Sequence, residues 1–183
     1  MATTLGTDLR ALRKSRGLTL ENLAAQLGKS VGWISQIERD ISSPTTRDLE
    51  QIASLFGVPL SLFFGVPRAP KDEYGLVVRS HNRRELGERE DGLIEALLSP
   101  DLTDSFEMLH STFMPGARCN EDIVRETEEV GYLVSGRLDI WLGGKIHHLL
   151  AGDSFRIRNQ PYRWSNPYHQ PAVAVWVISP PVY

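Results

Sequence analysis

One continuous stretch limits what the first third of this chain can fold into. It covers residues 17–41 and reads GLTLENLAAQLGKSVGWISQIERDI. In its first half, apolar residues recur at the spacing of one face of an amphipathic helix. They are Leu20, Leu23, Ala24 and Leu27. Thr19 stands where a hydroxyl caps a helix, and Gly28 stands where a helix ends. The pattern predicts a short amphipathic helix that is closed by a glycine turn.

A second short helix is predicted directly after this turn. Ser30 can cap its start. Its buried stripe consists of Val31, Ile34 and Ile37. The opposite face carries Gly32, Gln36, Arg39 and Asp40, with Trp33 and Ser35 beside it. Two short helices joined by a tight turn are typical of the helix-turn-helix, whose second helix enters the major groove of DNA. Two helices of an unrelated bundle remain the alternative.

The N-terminal region matches a known pattern at many positions. They are Leu9, Leu12, Arg13, Gly17, Thr19, Leu23, Ala24, Gly28, Ser30, Ile34, Gln36, Glu38, Pro44, Leu49, Ile52, Phe56 and Val58. With these residues the region resembles the lambda-repressor-like, XRE-type DNA-binding domains. The resemblance implies a five-helix bundle over residues 1–65, with Pro59 opening the fifth helix. The family's usual glycine two residues after Glu38 is Asp40 here, and aspartate tolerates the left-handed conformation better than most residues.

The helix pattern and the resemblance together assign the residues that contact DNA. Gln36 is the best candidate base reader, because an amide can pair bidentately with adenine. By resemblance Arg13 should pair with Glu38 while facing a phosphate, and a solvated basic face is the alternative. The full set is Arg13, Thr19, Lys29, Ser30, Val31, Gly32, Trp33, Ser35, Gln36, Arg39, Ser43 and Thr45. One recognition helix covers only a half-site, so binding to a double-stranded DNA operator predicts a homodimer with recognition helices about 34 Å apart.

Charge is divided unevenly along the chain. The formal net charge is −3, but residues 1–70 hold eight Lys and Arg against six Asp and Glu, and residues 71–183 hold twelve against seventeen. A mildly basic front and an acidic rear suit a DNA-reading module joined to a module with another task. The sequence shows no signal peptide pattern, no apolar run near the roughly 18 residues of a membrane span, and a single cysteine, Cys119. These features predict a cytoplasmic protein without a membrane partner.

The composition changes near Gly65. Residues 66–74 carry prolines and charges without a periodic stripe, and they are predicted to form a linker. Beyond them, short β-rich runs separated by turn residues predict a second domain over residues 75–183. The runs are 75–79, 93–98, 106–113, 130–142, 146–150, 154–157 and 172–178. Gly143 and Gly144 lie between two alternating runs and predict a hairpin. The fold class is therefore α + β with two domains, the second a sandwich or barrel.

Two motifs of this second domain resemble those of the cupins. Glu129 and Gly136 keep the spacing of the family's first motif, and Gly152, Pro161 and Asn166 match the second. The resemblance implies a double-stranded β-helix, the jelly-roll barrel. Taken together, the chain resembles the PuuR-like group of bacterial regulators, in which an XRE-type domain precedes a cupin.

Three of the four expected cupin metal ligands are replaced. The family's histidine positions hold Ile123, Arg125 and Tyr162. Isoleucine has no donor atom, and a permanently charged guanidinium repels a divalent cation. We therefore expect no metal cofactor and no enzymatic activity. A metal-dependent cupin enzyme with a DNA-binding head is the competing class.

An organic-ligand pocket is the expected replacement for the metal site. Arg125 and Glu129 should point into the cavity from one sheet, with Tyr162 facing them. The guanidinium suits a carboxylate, and the carboxylate suits an amine or a hydroxyl. The candidate ligand-binding residues are Arg125, Glu129, Tyr162, Ile123 and Trp164. These observations predict a transcriptional regulator that senses a small-molecule effector. In the alternative, Arg125 and Glu129 neutralise each other, and the plugged barrel only holds a dimer together.

Overall fold

The protein divides into two compact units. The computed structural model describes residues 4–64, 70, 72–73, 75–88 and 90–182. The first unit contains the described residues as far as Arg84 together with Ser99–Ser105, and the second contains those of Glu85–Leu98 and Phe106–Val182. Most of the predicted linker, residues 66–74, lies outside the described residues.

Capped α-helices build the first unit. They are α1 (Leu5–Ser15), α2 (Leu20–Leu27), α3 (Val31–Glu38) and α4 (Thr46–Phe56). The predicted caps are confirmed: the hydroxyls of Thr19 and Ser30 accept hydrogen bonds from the third residue of α2 and of α3. Gly28 ends α2 and Gly57 ends α4, both in the left-handed conformation. Within the described residues, no helix is long and apolar enough to cross a bilayer.

The prediction of a fifth α-helix is wrong. Pro59 does precede a helical segment, but Leu60–Phe63 is a single 3-10 turn, and the backbone is extended again at Phe64. Leu62 and Phe63 are adjacent and both buried. Segments of 3-10 helix are seldom longer than three or four residues, and this one ends directly after the buried pair. The described part of the unit therefore contains four α-helices.

Asp40 fills the turn after α3 in a way that explains the departure from the family's glycine. Its φ is +56°, so the aspartate does adopt the left-handed conformation. Its carboxylate accepts hydrogen bonds from the Gly6 N–H at 3.0 Å and from the Thr4 hydroxyl, at the start of α1. A Cβ on Gly6 would lie 2.4 Å from the Ile37 carbonyl oxygen. The close approach of α1 to the end of α3 therefore depends on Gly6, and Asp40 binds that helix end.

In the part of the chain that the structure describes, nine strands form two sheets. They are β1 (Arg84–Glu88), β2 (Leu93–Leu97), β3 (Glu107–Phe113), β4 (Glu128–Ser135), β5 (Arg137–Leu142), β6 (Lys145–Leu150), β7 (Ser154–Arg158), β8 (Tyr162–Ser165) and β9 (Ala172–Ser179). One sheet has the order β1-β2-β3-β9-β4-β7, and the other has the order β6-β5-β8. Contacts between Phe113 of β3 and Trp164 of β8, whose ring centroids are 4.7 Å apart, show that the inner faces pack together.

The cupin-like domain is an open sandwich in the described residues, so the prediction of a closed jelly-roll barrel is wrong in this respect. The free edge of β8 pairs with the segment before β4 through two isolated bridges, Arg118 with Ser165 and Ile123 with Tyr162, and through a few further backbone hydrogen bonds, without forming a regular ladder. β8 spans only four residues, which limits the ladder that it can offer to a closing strand. The two sheets are therefore joined at this edge by isolated backbone hydrogen bonds and not by a continuous strand ladder.

The pattern of apolar residues predicted some strands correctly and missed others. The hairpin at Gly143 and Gly144 is confirmed, with φ of +57° and +76°. The run 130–142 is divided at Gly136, whose φ is +79°. Residues 75–79 form no strand, whereas β1 and β8 were not predicted as strands. β1 carries charged residues without a clear apolar alternation, and β8 does alternate but spans only four residues, too short a run to stand out.

The interior of the sandwich requires a glycine on β4. Gly131 lies opposite Phe155 of β7 and Trp176 of β9. The Phe155 and Trp176 rings form an edge-to-face pair with centroids 4.8 Å apart. A Cβ on Gly131 would lie 2.1 Å from the Phe155 ring. The Phe155 ring occupies the space that a side chain at position 131 would need.

We predict that Gly131→Ala lowers the free energy of unfolding of the β domain by about 1–3 kcal/mol, because the methyl group overpacks the Phe155 ring. Urea denaturation followed by near-ultraviolet circular dichroism measures the change. In a Phe155→Leu background the same substitution should cost less than half as much. An equal cost in both backgrounds would contradict the assignment.

Candidate DNA interface and ligand pocket

α3 presents the predicted recognition face outward. Val31, Gly32, Gln36 and Arg39 are exposed, and Trp33 and Ser35 are half-buried. The other side of the helix packs into the core through Ile34 and Ile37, which are at most 1% exposed. The Arg39 guanidinium donates to the Ser35 carbonyl oxygen at 3.0 Å, which directs this side chain along the helix. The structure thus gathers on one surface the α3 residues that the sequence proposed as base readers.

The remaining polar candidates lie at helix N-termini and in the loop before α4. Thr19, Ser30, Ser43 and Thr45 are exposed. Two of these hydroxyls are already engaged as donors: Thr45 donates to Asp48 at 2.6 Å and Thr19 donates to Asn22 at 3.0 Å. Thr19, Ser30 and Thr45 also accept from the third N–H of their helices and so fix the helix starts, whose first two N–H groups stay open to an anion.

Lys29 connects the starts of α3 and α4. Its ammonium lies 2.6 Å from an Asp48 carboxylate oxygen and 4.8 Å from the centroid of the Trp33 ring. Hydrogen bonds from Lys29 and then from Thr45 lower the pKa of Asp48 to about 2. A lysine predicted as a DNA contact is thus already paired within the module, and its partly exposed side chain links the neighbouring helix termini.

Arg13 ties α1 to α3. Its Nε lies 2.6 Å and its Nη2 lies 2.9 Å from the two carboxylate oxygens of Glu38, and Nη1 donates to the Leu18 carbonyl oxygen at 2.7 Å. Hydrogen bonding to Glu38 raises the pKa of the guanidinium. The pairing with Glu38 is confirmed. A contact between Arg13 and a phosphate stays a prediction, since only 10% of the side chain is exposed.

A cavity of about 80 Å³ opens in the second unit, between the two sheets. Four of the five predicted ligand-binding residues line it: Ile123, Arg125, Tyr162 and Trp164. Phe113 and Trp176 complete its aromatic walls. The position of Tyr162 is fixed by backbone hydrogen bonds with Ile123 in both directions. The pocket is small compared with the 300–1,000 Å³ of typical ligand sites, so it suits only a small molecule.

Glu129 is the fifth predicted ligand-binding residue, and its carboxylate is already hydrogen-bonded within the protein. It is fully buried on β4 and accepts hydrogen bonds from the Thr127 hydroxyl at 2.7 Å, the Tyr162 hydroxyl at 3.1 Å and the Trp176 indole N–H at 2.8 Å. Among the described residues, no ion pair joins it to Arg125. Both of its oxygens are satisfied by neutral donors.

This donor set does not fit the metal that many cupins hold. The Glu129 oxygens are occupied by hydrogen bonds, and Arg125 brings a positive charge. Burial raises the pKa of the Tyr162 phenol, which Arg125 opposes and Glu129 reinforces, so the phenol stays neutral. A divalent cation would have to displace these bonds to reach a single carboxylate.

Arg125 lies at the cavity wall but not on a sheet. It belongs to the segment between the Ile123 bridge and β4, so the expectation that Arg125 and Glu129 project from one sheet is wrong. The physical reason is that this segment leaves the ladder, with exposed Val124 and Glu126 on either side. Arg125 is half-buried, and it forms no hydrogen bond or ion pair with any residue that the structure describes. Its charge therefore faces the cavity without a protein partner in the described chain.

Two carboxylates of the pocket were missed by the sequence reasoning. Glu90 and Glu95 both line the cavity. Glu95 is buried on β2 directly opposite Ser111 of β3, whose hydroxyl donates to it at 2.8 Å. A signal was available: Glu95 stands between Leu93 and Leu97 at an inward position of an alternating run. An acidic residue at an inward position is rare unless it has a function or a partner.

Together the two units define a class of protein. A helix-turn-helix module with an exposed second helix, followed by a cupin-like sandwich, is the architecture of a DNA-binding transcriptional regulator. The Helix-turn-helix family model (HTH_3) matches residues 9–63, and the Cupin domain model (Cupin_2) matches residues 109–178.

Relatives narrow the class to a family. The HTH-type transcriptional regulator PuuR of Escherichia coli K12 is 31% identical over 165 residues, which are 88% of this chain and 86% of that protein. The HTH-type transcriptional regulator SutR of the same strain is 30% identical over 158 residues, 85% of this chain and 83% of that protein. The chain belongs to the PuuR-like group of XRE-type transcriptional regulators.

A solved structure supports the fold of the second unit. An RmlC-like cupin from Shewanella frigidimarina NCIMB 400 superposes with a TM-score of 0.50 at 20% identity, over 57% of this chain and 90% of that one. At this identity the likeness concerns the fold alone. It agrees with the cupin resemblance drawn from Glu129, Gly136 and Asn166. The last of these is fully buried and holds the Phe113 and Gln170 carbonyl oxygens through its amide.

We predict that Asp48→Asn lowers the free energy of unfolding at pH 7 by about 1 kcal/mol, because it removes the charge that pairs with the partly exposed Lys29. The folded-state pKa of about 2 lies below the ordinary value of 3.8. The contribution is therefore complete above pH 4 and is lost as the pH falls towards 2. Urea denaturation of both proteins between pH 7 and pH 2.5 measures the difference, and a difference that does not shrink on acidification would contradict the assignment.

Proposed function

We propose that this transcriptional regulator reads its operator as a dimer and that its cupin domain binds a small organic effector without a metal. The observation that carries the proposal is the pairing state of Arg125. It is a half-buried guanidinium at the wall of an aromatic cavity, without an ion-pair partner in the described chain. Burying part of a charge without pairing it costs free energy, and an anionic ligand offsets that cost.

The DNA-reading part of the proposal rests on α3. Gln36 is exposed and can pair bidentately with adenine, and the neighbouring Arg39 can reach guanine or a phosphate. Val31 and Trp33 offer apolar contacts for a thymine methyl group. Phosphates would be held by the helix-start N–H groups, and by Ser43 in the loop before α4. In this proposal Lys29 and Arg13 position the helices, and their contribution to affinity is indirect.

The outer face of the six-stranded sheet is the proposed dimer surface, here called the apolar face. Its outward apolar side chains are Ile94, Met108, Val130, Tyr132, Val134, Val173, Val175 and Val177, and the polar His110 and Thr112 of β3 lie on the same face. Tyr132 lies opposite Val175, and Val130 lies opposite Val177, so these side chains form neighbouring rows. Four strands about 4.8 Å apart and about seven residues long cover roughly 450 Å². That is more than half of the roughly 800 Å² that each partner buries in a standard interface.

A second copy of the chain is the proposed occupant of the apolar face. One recognition helix reads one half-site, so specific binding requires two copies related by a two-fold axis. A two-fold axis brings the same patch of both copies together, which a flat, self-complementary apolar sheet face allows. The exposed Arg156 and Arg158 of β7 would lie at the polar rim of this interface.

Regulation would follow from a population shift. The effector binds one arrangement of the dimer better than another, and so changes the fraction of dimers that can place both α3 helices on an operator. The size of the shift is limited by the difference in effector affinity between the two arrangements.

We predict that Gln36→Ala loses about 1–3 kcal/mol of discrimination at one base pair of each half-site, because the amide that reads the base is removed. Operators are first selected from a random duplex library with the wild-type protein. Competition binding then compares each single-base variant. Gln51→Ala, an exposed glutamine on α4, is the matched control and should keep the wild-type preferences. A Gln36→Ala protein with the full preference of wild type would overturn the assignment.

We predict that Tyr132→Arg raises the dimer dissociation constant at least tenfold, because it buries a charge at the centre of the apolar face. Sedimentation equilibrium measures the constant. Leu150→Arg is the matched control, since Leu150 is similarly exposed but lies on β6 of the other sheet. Equal effects of the two substitutions, or a wild-type protein that is monomeric, would rule out this surface.

A further inference from the structure

An exposed isoleucine follows the recognition helix directly. Ile41 is 64% exposed, more than any other large apolar side chain in residues 4–64. Single apolar residues on a protein surface are common and need no function of their own. The position of Ile41 makes it informative, because it comes just after the end of α3, where the chain leaves the proposed base-reading surface.

Backbone hydrogen bonds fix Ile41 next to Gln36. The Ile41 N–H donates to the Gln36 carbonyl oxygen at 2.9 Å. One residue earlier, the Asp40 N–H donates to the Ile37 carbonyl oxygen at the same distance. With the left-handed φ of Asp40, these two bonds form the Schellman motif that ends the helix. The Asp40 carboxylate stabilises this turn by accepting from the Gly6 N–H, so the backbone of Ile41 has a fixed position relative to Gln36.

The side chain of Gln36 points towards the same end of α3. Its Oε1 lies 3.5 Å from the hydroxyl of Ser42, the residue that follows Ile41. The polar amide of Gln36 and the apolar side chain of Ile41 therefore share one small area of the surface, and both are exposed there. A DNA duplex that contacts one of them is within reach of the other.

Only one group in the major groove matches an isoleucine. The phosphates are charged, and the base edges consist mainly of hydrogen-bond donors and acceptors, which an aliphatic side chain cannot pair. The exception is the C5-methyl group of thymine, which is apolar and exposed in the groove. Contact between this methyl group and Ile41 removes apolar area of both from water. Against cytosine, which lacks the methyl group, the same side chain would cover the N4 amine and leave it unpaired.

We propose that Ile41 is a second base-reading residue, whose side chain contacts the methyl group of a thymine close to the pair that Gln36 reads. The inference rests on the proposed operator reading by α3, to which it adds one residue and the identity of one base. Base pairs are about 3.4 Å apart, so a residue bonded through its backbone to Gln36 reaches a thymine within about two pairs. Each half-site therefore carries the adenine read by Gln36 and, close to it, a thymine read by Ile41.

Deoxyuridine scanning of the operator tests the inference, because uracil differs from thymine only by the missing C5-methyl group. The full chain first selects operators from a random duplex library, and each thymine of a half-site is then replaced by uracil. Fluorescence anisotropy measures the dissociation constants. We expect uracil at one thymine near the pair read by Gln36 to weaken wild-type binding about three- to fivefold, as the loss of one buried methyl group predicts. In Ile41→Ala the same replacement should weaken binding less than about twofold, because the contact is already absent.

Two further variants serve as controls. Ile146→Ala removes a similarly exposed isoleucine of β6 and should keep the wild-type sensitivity to uracil. Ile41→Val keeps part of the apolar side chain and should keep part of the sensitivity. A uniform loss of affinity in Ile41→Ala, on thymine and uracil duplexes alike, would assign Ile41 to the fold or to the contact between copies and would overturn the inference.

The proposed function and this inference fail in different ways. A Gln36→Ala protein with the full wild-type preference, or a library that yields no preferred duplex, overturns base reading by α3 and the role of Ile41 with it. A Gln36→Ala protein that loses one base preference, while no thymine methyl group depends on Ile41, overturns only the role of Ile41.

Discussion

A buried carboxylate saturated with hydrogen bonds organises the interior of the β domain. Glu129 of β4 receives the Tyr162 hydroxyl from β8 and the Trp176 indole N–H from β9, so one side chain connects both sheets. The third donor, Thr127, comes from the segment just before β4. A buried carboxylate with good donors is stable, whereas removing one partner costs about 1–3 kcal/mol, because the remaining group is left unsatisfied. Glu129, at the position of the cupin glutamate, therefore anchors the packing of the two sheets.

This anchor determines where the chemistry of the pocket can lie. With Glu129 bound to neutral donors, the charges that face the cavity come from other elements, Arg125 from the segment before β4 and Glu95 from β2. Tyr162 stands at a family histidine position and replaces a metal–ligand bond by a hydrogen bond to the same carboxylate. The substitution thus both removes the metal donor set and supplies a new structural bond. In the effector pocket that we propose, contacts to a ligand would therefore come from groups other than Glu129.

Local features of the chain were readable from the sequence, and long-range ones were not. Thr19, Ser30 and Gly28 act where they stand, through bonds to residues a few positions away, so caps and turns were predicted correctly. Glu129 accepts a hydrogen bond from the indole N–H of Trp176, 47 residues further along the chain, and no local sequence pattern predicts that contact. Glu95 could have been found, because its inward position follows from the alternation of β2. The open edge of β8 could not, since it depends on how closely a distant segment approaches.

The predicted binding residues also differ in whether their polar groups already have a partner within the protein. Arg13 with Glu38 and Lys29 with Asp48 are closed pairs within the DNA-binding module, and each joins two helices. An interaction that is already complete in the protein gives little further free energy when DNA arrives, so we propose that such residues act by placing α3. Gln36 on α3 and Arg125 in the β domain are different, because their polar groups have no strong partner among the described residues, and Gln36 has only a hydroxyl 3.5 Å away. The residues that recognise something outside the protein are expected to be those whose polar groups the fold exposes or leaves unpaired, and on that ground we propose that α3 contacts the operator and that the cavity wall contacts an effector.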